Sequence, residues 1–155
     1  MSKLTETIEA VAQMILREKN YLSDLDAKIG DGDHGINMAR GFEAVLEALD
    51  TLEHPENPKA VLHAVGTAIL ENVGGAAGPL YGTGFLCASE VCAEDERLTI
   101  DSAERLLGAA IAGIEKRGHA RRGKVYRSRD HVGPQACVRN KCQRPMGTHA
   151  IGRFT

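Results

Sequence analysis

The sequence has no tryptophan, and aromatic residues make up only 4% of its 155 residues. Its apolar share of 43% therefore comes mainly from Leu, Ile, Val and Ala, which suit closely packed helices. Alternation of apolar and polar residues, the pattern of a half-buried strand, is also missing. Since helical periodicity dominates instead, we expect an all-α fold, an antiparallel helical bundle with short connections.

The chain also lacks an apolar run of membrane-spanning length and a recognisable signal peptide. Of its four cysteines, Cys137 and Cys142 are spaced C-x4-C, without the second orderly pair of a typical zinc site. Cys87 and Cys92 lie in an apolar helical run and are expected to be buried thiols. These features favour a cytoplasmic protein with reduced thiols and no membrane partner.

Acidic residues are nearly absent from the last part of the chain. Up to Arg117 there are ten Lys and Arg against twenty Asp and Glu, whereas residues 118–155 hold nine basic residues and one acid. A basic tail can bind nucleic acid, but the acidic body has no basic helical face, so no nucleic-acid partner is expected. We predict a helical domain over residues 1–123 and an atypical, poorly ordered basic tail over 124–155. The tail is either the product of a frame-shift or a poorly ordered extension.

Helical periodicity predicts five helices before the tail. Their expected bounds are Ser2 to about Tyr21, Gly35 to about Leu49, Pro58 to about Asn72, Phe85 to Glu94, and a last helix capped by Asp101 or Ser102 and ended by Gly118. Asn57 is a good N-cap for the helix that starts at Pro58. The segments Ser23–His34 and Gly74–Gly84 are rich in glycine and are expected to be loops.

The first of these segments concentrates acidic side chains. Asp26, Asp31, Asp33 and His34 fall within nine residues, among several glycines and just before a helix. Magnesium prefers hard oxygen ligands, and a helix N-terminus favours phosphate, so the segment predicts a magnesium and phosphate site. The alternative is a solvated turn in which aspartate only caps the helix. The order of residues does not fit an EF-hand.

The second segment contains five glycines in eleven residues, between residues 74 and 84. Glycine lets a backbone approach a ligand closely and present its N–H groups to phosphate. A tight turn between two closely packed helices is the alternative explanation. No G-K-[ST] follows, so the segment is not a Walker A loop.

Three motifs, in this order, cover residues 1–123 and resemble the L subunit of dihydroxyacetone kinase. They are Leu25-Asp26-x-x-Ile29-Gly30-Asp31-Gly32-Asp33-His34-Gly35-x-Asn37-Met38-x-Arg40-Gly41-Phe42, Gly74-Gly75-Ala76-x-Gly78-Pro79-Leu80-x-Gly82-Thr83 and Arg117-Gly118-x-Ala120. The related nucleotide domain of fatty acid kinases has Thr where His34 stands, so the dihydroxyacetone kinase branch fits better.

The resemblance implies a barrel of eight antiparallel helices that binds ADP or ATP at one end. It implies that Asp26, Asp31 and Asp33 hold two magnesium ions bridging to the nucleotide phosphates. The positions that would contact the nucleotide are His34, Gly35, Ile36, Asn37, Ala76, Ala77 and Gly118. No residue of the chain is expected to act as a nucleophile.

The resemblance also implies partners. ADP would stay bound as a cofactor, a phosphohistidine protein of the phosphotransferase system would recharge it, and the phosphoryl group would pass to dihydroxyacetone held on a histidine of a separate K subunit. A homodimer is a further expected assembly. The alternatives are a non-catalytic ADP-binding regulatory module, an inactive fragment, and a magnesium-dependent phosphatase using Asp31 and Asp33.

The sequence departs from the family in three places. Ala77 stands where members usually have Ser, which removes a hydroxyl contact to phosphate. Val125-Tyr126-Arg127 stands where members have a Lys-Thr-Met run. The last helices of the family, which supply an Arg to the nucleotide, have no counterpart. We therefore expect a helical barrel of this type that is incomplete at its C-terminus.

Overall fold

The computed structural model describes residues 2–94 and 96–119 of the chain. Within these ranges the regular structure consists of six helices and no strand, which confirms the all-α prediction. The helices are α1 Lys3–Arg17, α2 Lys19–Asp26, α3 His34–Asp50, α4 Pro58–Asn72, α5 Ala77–Val91 and α6 Ile100–Arg117. The tail predicted over 124–155, with Cys137 and Cys142, lies outside the described residues.

The helices pack largely in chain order. Helix α3 packs against α1 and α2, α4 against α3, α5 against α4, and α6 against α5. Helix α4 lies at the centre of this series, and its Val61, Val65 and Ile69 are at most 1% exposed. In the part of the chain that the structure covers, none of the helices combines the length and hydrophobicity needed to span a bilayer.

Helix α4 has the bounds that the sequence predicts. The Asn57 side chain caps it by accepting hydrogen bonds from the backbone N–H groups of Lys59, at 2.9 Å, and Ala60, at 3.2 Å. Pro58 is its first residue, where a missing N–H costs nothing. Cys87 and Cys92 are both buried thiols, as expected.

The predicted first helix was wrong in its extent. Helix α1 ends at Arg17, and α2 begins at Lys19 and runs to Asp26. Glu18 between them has ψ 10°, far from the helical value, so the chain changes direction there. Neither Pro nor Gly marks this bend in the sequence. Because α2 extends to Asp26, the loop expected over Ser23–His34 is confined to the residues after Asp26.

The loop expected over Gly74–Gly84 was also wrong, because α5 begins at Ala77. Gly82 lies inside α5, where a Cβ would come within 2.8 Å of the Leu70 Cβ and 2.9 Å of the Gly66 carbonyl oxygen on α4. Close packing of α4 against α5 therefore accounts for this glycine. Of the five glycines, only Gly74 and Gly75 lie in the loop that connects α4 and α5.

The bounds of the last two helices differ from the prediction in detail. Helix α5 ends at Val91 rather than Glu94. Helix α6 is capped by Thr99, not by Asp101 or Ser102: Thr99 Oγ1 accepts from the Ser102 N–H at 3.2 Å, and Ser102 Oγ accepts from the Thr99 N–H at 2.8 Å. This reciprocal capping box places the start of α6 a few residues before the predicted one. Gly118 is the C-cap of α6, as predicted.

Candidate functional site

The loop between α2 and α3 folds around the carboxylate of Asp26. Asp26 Oδ2 accepts a hydrogen bond from the Gly32 N–H at 2.9 Å. Gly32 has a φ of +77°, which disfavours any residue with a side chain. A Cβ at Gly30 would lie 2.6 Å from Asp26 Oδ1. The two glycines therefore allow the loop to turn closely enough to bring its later aspartates back to Asp26.

Asp26, Asp31 and Asp33 converge at one point of this loop, which we call the aspartate cluster. Each offers a carboxylate oxygen, and these oxygens all lie within 4.8 Å of one another. Oxygens on opposite sides of one magnesium ion are roughly 4 Å apart, since each Mg–O distance is about 2.1 Å. Asp26 is half-buried and the other two are exposed, which leaves room for water or phosphate oxygens as further ligands. The donor set therefore fits magnesium.

Asp33 does not behave as a residue that only caps a helix. It is the N-cap residue of α3, yet its side chain makes no capping hydrogen bond. Its backbone N–H donates a long hydrogen bond, 3.4 Å, to Asp31 Oδ1. The Asp33 carboxylate is thus not engaged by the helix, and the first backbone N–H groups of α3 face the same loop, where they favour an anion.

The aspartate cluster opens into a cavity of about 450 Å³, a size typical of small-molecule sites. Its walls come from three separate parts of the chain: the α2–α3 loop with the start of α3, the α4–α5 connection with the start of α5, and α6. The lining residues are Asp26, Asp31, Asp33, His34, Asn37, Gly74, Gly75, Ala76, Ala77, Leu80, Tyr81 and Ile114.

Seven of the ten residues proposed from the sequence line this cavity, and three do not. Gly35 is buried against α2, because a Cβ there would collide with the Lys19 carbonyl oxygen. Ile36 faces outward and is 53% exposed. Gly118 is buried one turn beyond the cavity wall, and its N–H donates to the Ile114 carbonyl oxygen at 2.8 Å.

The cavity also contains residues absent from that proposal. Gly74 and Gly75 form one wall of the cavity, which we call the glycine wall. Leu80 and Tyr81 follow Ala77 on α5 at helical spacing, so they lie on the same side of that helix as Ala77. A correct prediction of the start of α5 would therefore have identified them from the sequence. Ile114 on α6 also lines the cavity. No local pattern marks it, since it reaches the cavity only through the packing of α6 against α5.

These elements are those of a DAK2 domain. The DAK2 domain family matches residues 28–125, well over half of the chain, and the chain belongs to this family. The chain is 41% identical over 112 residues to the ADP-binding subunit DhaL of the PEP-dependent dihydroxyacetone kinase 1 of Listeria innocua. The match covers 72% of this chain and 56% of that protein. It is 40% identical over 127 residues to the ADP-binding subunit DhaL of the PTS-dependent dihydroxyacetone kinase of Lactococcus lactis, covering 80% of this chain and 63% of the relative.

More distant relatives share the same part of the chain. The human triokinase/FMN cyclase is 29% identical over 121 residues, which is 78% of this chain and 21% of that protein. The resemblance drawn from the three motifs is thereby confirmed, and the relatives are named as subunits or forms of kinases. The chain spans between half and two thirds of the length of the bacterial relatives that it matches.

Proposed function

We propose that this chain is the nucleotide-holding subunit of a dihydroxyacetone kinase. It binds ADP or ATP in the cavity beside α3, and the phosphoryl group passes to dihydroxyacetone held on a K subunit. A phosphohistidine protein of the phosphotransferase system recharges the bound ADP. The observation that carries the proposal is that one cavity is lined by both the aspartate cluster and the Gly74–Gly75 wall. The names of the bacterial relatives as ADP-binding subunits support it.

In this proposal Asp26, Asp31 and Asp33 hold two magnesium ions. Bound there, magnesium would neutralise the charge of the nucleotide phosphates and of the group in transfer. The three carboxylates keep the ions at the mouth of the α2–α3 loop, and the N-terminus of α3 adds N–H groups and a favourable dipole for phosphate.

In this proposal the other lining residues contact the phosphates and the base of the nucleotide. Gly74 and Gly75 carry no side chain that would keep a phosphate from the backbone. Leu80, Tyr81 and Ile114 provide an apolar wall suited to the flat face of a purine base. Phosphoryl transfer depends mainly on positioning and charge neutralisation, so we assign no nucleophile to this chain.

The phosphatase alternative finds no support in the structure. An aspartate nucleophile of that kind stands at the end of a strand, and the residues from 2 to 119 that are described contain none. The non-catalytic ADP-binding module shares the nucleotide site with our proposal and differs only in the transfer step. The experiment below separates the two.

The test begins with calorimetric titration of ADP into the purified chain. We expect binding in the presence of magnesium, its loss in EDTA, and a weakening of at least tenfold in Asp31→Asn. Asp50→Asn, which changes an exposed aspartate at the far end of α3, is the matched control and should bind as the original chain does. Absence of binding in every condition would refute the proposal.

The second step tests the transfer itself. The ADP-loaded chain is mixed with the K subunit and the phosphohistidine donor of the Lactococcus lactis system, and dihydroxyacetone phosphate is measured. Product formation that depends on the chain and is lost in Asp31→Asn supports the kinase subunit. Magnesium-dependent ADP binding without product would favour the non-catalytic module instead.

A further inference from the structure

Asn37 stands between the two glycine-rich parts of the cavity. It lies on the first turns of α3, lines the cavity and is only 9% exposed. Its Oδ1 accepts a hydrogen bond from Nη2 of Arg40, one turn further along α3, at 3.0 Å. A guanidinium can only donate, so this contact fixes which end of the Asn37 amide faces Arg40. The Nδ2 group, with two N–H donors, is then the end that Asn37 offers to a ligand.

Arg40 makes a second contact across the fold. Its Nε donates to the carbonyl oxygen of Asn72, the last residue of α4, at 2.8 Å. Cationic side chains are favourable at a helix C-terminus, where carbonyl groups lack partners. The Gly74–Gly75 wall begins two residues later. Arg40 therefore ties the start of that wall to α3.

Gly74 completes the arrangement. A Cβ at Gly74 would lie 2.6 Å from Asn37 Oδ1 and 3.1 Å from its Nδ2. The backbone of the glycine wall thus rests directly on the amide that Arg40 orients. Arg40 itself is not among the residues that line the cavity, and it is exposed on the outer side. It contacts Asn37 and the end of α4 without lining the cavity.

We propose that Arg40 is a positioning residue for nucleotide binding. It holds the Asn37 amide with its N–H groups toward the phosphates of a nucleoside diphosphate and keeps the glycine wall at the matching distance. This inference rests on the proposed function. A donor at Asn37 favours an anion, and it complements the aspartate cluster, which draws cations to the same cavity.

The test is a double-mutant cycle on the affinity for ADP with magnesium. Arg40→Met and Asn37→Ala should each weaken ADP binding by about tenfold or more, because each removes the oriented hydrogen-bond donor. If Arg40 acts through Asn37, the double variant should bind about as weakly as either single variant. Effects that multiply would overturn the proposal, since Arg40 would then act independently of Asn37.

Arg105 provides a matched control. It also ties a helix end, because its guanidinium donates to the carbonyl oxygen of Val91, the last residue of α5, and to Glu96, away from the cavity. Arg105→Met should lower the melting temperature while leaving the ADP affinity unchanged. A similar loss of ADP affinity in Arg105→Met and Arg40→Met would mean that Arg40 is only structural. Arg40→Lys should restore little, since one ammonium nitrogen cannot take the places of both Nε and Nη2 of the planar guanidinium.

A measurement without nucleotide separates this inference from the proposed function. If the original chain fails to bind ADP, the proposed function falls. The side-chain amide resonances of Asn37, recorded by NMR on the unliganded chain, still report the Arg40 contact. They should shift in Arg40→Met and stay unchanged in Arg105→Met. Unchanged Asn37 resonances in Arg40→Met would refute the contact on which the inference depends.

Discussion

At the scale of single residues, burial sets the chemistry of Cys92. Its side chain lies at the end of α5 and is 3% exposed. Burial raises the pKa of the Cys92 thiol above its usual value, and the nearby Glu96 carboxylate raises the pKa further. The thiol is therefore held in its neutral form, as its place beside Leu62, Ala88 and Leu106 in the core requires.

The raised pKa of Cys92 predicts a pH dependence of stability. The unfolded thiol ionises near pH 8.5, whereas the folded thiol ionises at a higher pH. The contribution of Cys92 to the free energy of unfolding is thus complete below about pH 8.5 and is lost as the pH rises toward the folded pKa. Urea unfolding at pH 7 and pH 10, with reductant present, should show a larger loss for the original chain than for Cys92→Ala. Parallel losses would contradict the assignment.

Residue types and spacing predicted the convergence of the aspartate cluster far better than the apolar lining of the cavity. Asp26, Asp31 and Asp33 fall within one short segment, so chain connectivity alone brings them near one another. Ile114 is 81 residues beyond Asp33 and reaches the cavity only after α6 packs on α5. Local patterns carry no information about such tertiary contacts, and the contact of Arg40 with the Asn72 carbonyl oxygen was hidden for the same reason.

At the scale of helices, the predicted caps at Asn57 and Gly118 were correct. The predicted cap at Asp101 or Ser102 and the loop predicted from the glycines of residues 74–84 were wrong. Asn57 and Pro58 mark the start of α4 because a cap acts within a few residues. Gly78 and Pro79 suggested a loop, yet both lie in the first turn of α5, where proline is tolerated and the small size of Gly78 permits contact with Val73. Sequence alone could not tell a glycine needed for close packing from one needed for a turn.

A matched pair of substitutions separates a helical glycine that permits close packing from one that packs against nothing. Gly82→Ala should destabilise the fold by about 1–3 kcal/mol, because its Cβ would press on Leu70 and the Gly66 carbonyl oxygen of α4. Gly108→Ala, inside α6 with nothing within 4 Å of the added Cβ, should stabilise by about 0.5–1 kcal/mol. Urea unfolding of both variants measures the difference, and equal effects would contradict the packing described for α4 and α5.

Two adjacent leucines on α6 test which face of that helix is packed. Leu106 is 7% exposed and belongs to the cluster formed with α4 and α5, whereas Leu107 is 64% exposed. Leu106→Ala should cost about 2–5 kcal/mol of unfolding free energy, and Leu107→Ala less than about 0.5 kcal/mol. Thermal unfolding compares the two, and a large cost at Leu107 would show that this face is covered.

At the scale of the whole molecule, the helices form a series with α1 at one end and α6 at the other. Both end helices expose apolar side chains, among them Met14 on α1 and Leu107 and Ile111 on α6. The prediction of an all-α fold was correct because helical periodicity persists through this whole range. The order in which the helices pack could not be predicted from the sequence, since periodicity shows that a helix face is buried but not which helix covers it.

The cavity is assembled from residues of distant parts of this series of helices. The chain spans little more than half of the Listeria relative. Every lining residue lies between Asp26 and Ile114, and all but Asp26 fall in the range matched by the DAK2 domain. The proposed link between ADP and the aspartate cluster through metal ions therefore depends on residues whose positions the structure gives.

Electron paramagnetic resonance with manganese in place of magnesium tests that claim most directly. Titration of Mn²⁺ in the presence of ADP should show two bound ions per chain, with hyperfine coupling to the phosphorus of ADP. In Asp31→Asn the bound signal and the phosphorus coupling should be lost, and Asp50→Asn should behave as the original chain. Phosphorus-coupled manganese that persists in Asp31→Asn, or ADP that binds equally well in EDTA, would contradict the account.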